Sequence, residues 1–94
     1  DEFTFKTFCM SEANPEEARR LLDERAGQYR FKIRFMEEKL RLLRERTGLK
    51  EEEVPDFYSP AFGTFILIRK SLAASRVNLE WCEWALQLIP ETSS

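Results

Sequence analysis

NPEEARRLLDERAGQYRFKIRFMEEKLRLLRERTG, residues 14–48, carries the signals of one long helix from its start to its end. Asn14 is a capping residue, and Pro15 suits the first helical position because its missing N–H has no intrahelical partner there. Glu16 and Glu17 favour the positive end of the helix dipole, and Glu17 stands where a capping-box acid belongs. No proline follows until Pro55; Arg44 and Arg46 lie in the last turn, and Gly48 can adopt the left-handed conformation that stops a helix. Within the span, Leu22, Ala26, Tyr29, Ile33, Met36, Leu40 and Leu43 follow at spacings of 4, 3, 4, 3, 4 and 3. That is a coiled-coil-type apolar seam. Phe31, Phe35 and Leu42 fall on flanking faces, so this helix has more than one surface to cover.

Toward the C-terminus, KEEEVPDFYSP (50–60) reads as connection, with a charge run, two prolines and Ser59. A second long helix is expected from about 61 to 89, between Pro60 and Pro90. Ala61, Phe65, Ile68, Leu72, Ser75, Leu79, Cys82, Leu86 and Ile89 again alternate spacings of 4 and 3. Leu67, Ala74, Trp81 and Leu88 form a further row, each seven apart, and Phe62, Ile66, Ala73, Val77 and Trp84 occupy another face. A helix apolar nearly all round is a buried helix. One short and one long companion cannot cover it, so a second copy of the chain is expected to.

Toward the N-terminus, Phe5, Phe8 and Cys9 fit i, i+3, i+4 in DEFTFKTFCM, which predicts a short helix over about 2–10. The expectation is an all-α chain of one domain over 1–94. It consists of a short helix, a long one over about 15–47, a loop over about 48–60 and a long one over about 61–89. The long pair forms an antiparallel coiled-coil-like hairpin that dimerises into a helical bundle. A chain of this size buries only about 60–65% of its unfolded surface, which also favours association. Asp1, not Met, opens the sequence, so a piece of something longer is expected.

Several chemistries find no support. There is no histidine, which removes the Ser–His–Asp triad, the Cys–His pair and the Glu-x-x-His ligands of carboxylate di-iron bundles. Cys9 and Cys82 lack the spacing of a zinc site and read as reduced core or interface residues. Glu37–Glu38 and Glu51–Glu53 read as solvated carboxylates, with Glu37 placed to pair with Arg41 four residues on. The basic residues between Arg30 and Arg46 are diluted by Glu37, Glu38 and Glu45, and the net charge is −2. Direct DNA binding needs an uninterrupted positive face. No enzyme, metal or cofactor is expected. No apolar run approaches the roughly 18–20 residues of a membrane span, and no signal peptide is visible, so a cytoplasmic location is expected.

Trp81 and Trp84 lie three residues apart on the last helix. Core packing within one chain, packing across a dimer interface and stacking on a flat aromatic ligand would each account for them. EFTFKTF, PEEARRLLDER, the heptad helix and the closing LEWCEWALQLI together resemble the C-terminal dimerisation domain of PadR-like transcriptional regulators. Glu2, Phe3, Lys6 and Phe8 match that family's opening; Trp81 followed by Leu86 matches its close. Trp84 stands where a polar or acidic residue is more frequent, and Ser71 where glycine is.

The resemblance implies a homodimer whose partner winged helix-turn-helix domain, absent from this chain, binds operator DNA. It also implies relief of repression by small planar aromatic effectors, for which Trp81 and Trp84 are the candidate ligand residues. Phe65, Ile68, Leu72, Leu79, Trp81, Cys82 and Trp84 are expected as interface or core residues. Leu22, Tyr29, Ile33, Met36, Leu40 and Leu43 are expected on the facing seam. The rival reading is a free-standing helical adaptor or scaffold that binds another protein.

Overall fold

The computed structural model describes residues 1–12 and 14–91; position 13 and the end of the expected domain, 92–94, lie outside the described residues. Among the described residues three α-helices follow one another: α1 (Glu2–Phe8), α2 (Pro15–Thr47) and α3 (Phe62–Gln87). A single 3-10 turn, Met10–Glu12, follows α1, so the first helix stops before Cys9 and Met10, short of the expected span. The chain is all-α, with no strand among the described residues.

The ends of α2 are where the capping residues place them. Asn14 Oδ1 accepts the Glu17 backbone N–H at 2.8 Å, and Pro15 opens the helix. At the other end Gly48 has φ 73°, in the left-handed region, and the Leu49 N–H returns to the Arg44 carbonyl at 3.1 Å. Only glycine takes that φ without a Cβ penalty. α3 has no side-chain cap of its own. Its approach is shaped instead by Ser59, whose Oγ accepts the Ala61 N–H at 3.1 Å and whose carbonyl accepts the Phe62 N–H.

α2 and α3 pack along their heptad seams as an antiparallel hairpin. Three cross-links give the direction: Arg19 reaches the Pro90 carbonyl at 3.2 Å, Arg30 lies 3.9 Å from Glu83, and Arg76 lies 3.3 Å from Glu37. As numbers rise along α2, their partners fall along α3. Glu37 therefore pairs across the hairpin, and the expected Glu37–Arg41 pair does not form. Arg41 is held by Glu38 at 2.6 Å and by Glu45 at 2.8 Å. The Arg41 hydrogen bond lowers the Glu38 carboxyl, but both groups are in water and such pairs add little stability.

The core is one row thick. Leu40, Leu43, Ala61, Phe65, Ile68 and Leu72 form its main cluster, with Ile33 and Met36 against it. Toward the open end of the hairpin, Ala18, Leu22, Ala26, Ser75 and Cys82 are buried. The molecule measures 56 × 26 × 15 Å. A helix with its side chains is about 10–12 Å across, so 15 Å is a single layer of helices. Folded domains ordinarily need a second layer to cover the first.

Candidate functional site: two seams on one helix

The described residues offer no concentration of reactive groups; no three Cys, Asp or Glu side chains among them come together as metal ligands would. What the fold does present is α3, which carries two apolar seams on opposite sides. The inner one, Phe65, Ile68, Leu72, Ser75 and Cys82, is buried against α2. Leu79, on the same seam, is half-buried. On α2, Leu22, Leu40 and Leu43 are buried, while Tyr29, Ile33 and Met36 are half-buried.

The outer face of α3 faces solvent. Leu67 is 65% exposed, Val77 64% and Trp84 56%, and Leu88 and Ile66 are open too. Phe31, Phe35 and Leu42 are exposed on α2, with Phe31 and Phe35 stacked at 6.3 Å.

The two tryptophans part company here. Trp81 meets Phe3 of α1 edge-on, with ring centroids 6.1 Å apart and planes at 81°. The Arg25 guanidinium lies 4.4 Å from the Phe3 centroid, and its Nε donates to Tyr29 Oη at 3.1 Å. Trp81 thus closes a cleft of about 440 Å³ between α1 and the hairpin, lined by Phe3, Thr4, Thr7, Phe8, Tyr29 and Asn78 as well. Trp84 stands outside that cleft. Sequence reasoning paired Trp84 with Trp81 and missed Phe3, Tyr29 and Asn78. The available signal was Asn78 itself, an uncharged polar side chain three residues before Trp81.

Cys82 is fully buried (0% exposed), and burial pushes its thiol up from the ordinary range. Cys9 is half-buried beside α2, and both cysteines are free thiols. With an aromatic disulfide reagent at neutral pH, Cys9 is expected to react in the native chain and Cys82 only on unfolding. Because the folded thiol holds its proton more tightly than the unfolded one, its contribution is complete below the ordinary thiol pKa. It is lost as pH rises from there through the folded value. A urea midpoint that rises over that interval would contradict this assignment.

A family model for the virulence activator alpha C-terminal domain matches residues 1–89, and the chain belongs to that family. It is accordingly a regulator domain of the transcription-factor type. Neither a curated protein nor a solved structure gave a significant match. No helix is long and apolar enough to cross a membrane among the described residues.

Proposed function

We propose that the chain is the dimerisation domain of a PadR-like transcriptional regulator, pairing two DNA-reading heads supplied by a winged helix-turn-helix domain outside this sequence. Symmetric operators present two half-sites, and a two-fold dimer sets two heads at matching spacing. The observation that carries the reading is uncovered area. The chain exposes 7331 Å², whereas a compact monomer of 11.2 kDa exposes about 5,700 Å². Its radius of gyration is 18.0 Å against about 12–13 Å for a compact domain of this length. The excess is about 1,600 Å² per chain, so two copies could remove about 3,200 Å², in the range of permanent homodimers. Ile66, Leu67, Val77 and Trp84 of α3 are among the large apolar side chains that the chain leaves exposed.

Light scattering over a concentration series tests this. A mass near twice 11.2 kDa that persists on dilution is the expected result. A well-folded monomer would overturn it and favour the adaptor reading.

A second element of the proposal is effector binding, supported by the cleft at Trp81. An indole, two phenyls and a phenol line it together with the Asn78 amide and two threonine side chains. Flat rings stack on the aromatic groups, while a polar edge can bond to the others. Planar aromatic compounds are expected to quench Trp81 saturably, with the signal retained in Trp84→Phe and lost in Trp81→Phe. Quenching that survives in Trp81→Phe would remove the cleft from the proposal.

A further inference from the structure

The exposed side of α3 contains a second heptad seam that its own chain uses only at Trp81, whose edge-on contact is with Phe3. Starting at Gly63 and ending at Leu88, positions at spacings of 4, 3, 4, 3, 4, 3 and 4 are all exposed, on the side of the helix opposite the buried row. This regularity is invisible until the inner seam is assigned, because the sequence distributes these residues over two apparent faces.

The seam is polarised by size. Its N-terminal half contains Gly63 and Ala74, and its C-terminal half contains Trp81, Trp84 and Leu88. Gly63 is helical, and a Cβ built there meets nothing within 4 Å. The chain's own packing therefore does not require glycine there, although glycine costs a helix about 1 kcal/mol relative to alanine. One charged residue, Lys70, interrupts the apolar row.

We propose that two copies pair antiparallel along this seam, with the two-fold axis crossing between Ala74 and Val77. This rests on the dimer reading above and adds its direction and register. Antiparallel pairing sets Gly63 against the partner's Leu88, Leu67 against the partner's Trp84, Lys70 against the partner's Trp81, and Ala74 against the partner's Val77. Small meets large in the end and central pairs, as dense packing between facing helices requires. The Lys70 ammonium lies over an indole, where a cation is attracted by the ring quadrupole. Parallel pairing in register would do the reverse. It would set Lys70 against its copy, crowd tryptophan on tryptophan at two successive layers, and leave glycine facing glycine. One register of one direction satisfies size and charge together.

Disulfide trapping tests the pairing. Cys9→Ser removes the accessible native thiol, and Gly63→Cys and Leu88→Cys are made in separate chains. Position 63 has room for a side chain, and Leu88 is exposed, so neither change touches the hairpin core. In the proposed dimer, Gly63 lies about 37 Å along the axis from its own copy. A disulfide needs Cα atoms within about 7 Å. The expected result is a covalent dimer when the two variants are mixed and mildly oxidised, and none from either alone. Cross-linking of each variant to itself would overturn the antiparallel direction. Leu88→Cys joining Ala74→Cys in place of Gly63→Cys would overturn the register and move the axis to Trp81. A monomeric mass for the parent chain would defeat the dimer reading itself, whereas a dimeric mass with the wrong trapping pattern defeats only this pairing.

Discussion

Leu72→Asp is expected to unfold the chain, with loss of its helical circular dichroism at neutral pH, instead of merely separating two copies. Leu72 is 2% exposed at the centre of the α2–α3 contact, among Leu40, Leu43, Phe65 and Ile68. Removing a buried leucine costs about 2–5 kcal/mol through lost burial and cavity. An unpaired buried carboxylate adds several kcal/mol more, even where it takes up a proton in place of ionising. A small domain has about 5–15 kcal/mol in total, and this one has only a single row of core side chains to supply it. A cooperative melt within a few degrees of the parent would mean that Leu72 is not where the structure places it.

Val77→Asp is expected to behave differently, although it puts the same charge on the same helix. Val77 is 64% exposed in the single chain, so the hairpin loses nothing by the change. Across the proposed two-fold axis, however, both copies would place a carboxylate in an apolar seam. Two lost valine burials at about 1.5 kcal/mol each amount to about 3 kcal/mol, or dimer affinity weakened roughly 100-fold. Repulsion between the two charges adds to it. The mass should fall toward 11.2 kDa at micromolar concentration while the remaining monomer stays helical. An unchanged dimer would show that this side of α3 is not the interface. Taken together, the two substitutions separate the seam that makes the fold from the seam proposed to make the assembly.

The extent of α2 was legible because its signals are local. A cap hydrogen bond spans three residues, and a left-handed stop depends on one glycine, so Asn14, Pro15 and Gly48 could be read without knowing what the helix touches. The 4–3 spacing of the long helices was legible too, and it implies a facing helix without saying which row meets it. α1 was harder. Its aromatic residues suggested a helix to about residue 10, but Phe5 and Phe8 remain exposed and the backbone tightens into a 3-10 turn after Cys9. Glu37 went to Arg76 in place of Arg41 because a rule for isolated helices knows nothing of a second helix lying alongside.

The candidate site divides the same way. That α3 has more apolar surface than one chain can use followed from its composition, and so did the absence of histidine chemistry. Which of its apolar rows faces inward did not follow, because two rows with the same spacing are equivalent until one is occupied. Nor could the sequence separate Trp81 from Trp84. Three residues along a helix is a rotation of about 60° from the same direction, small enough to look like one face. The fold turns that angle into a difference in surroundings: Trp81 closes a cleft against Phe3, while Trp84 lies beyond it. Local periodicity determined the helices and their apolar rows; only the packing of α2 and α1 on α3 decided which row stays exposed.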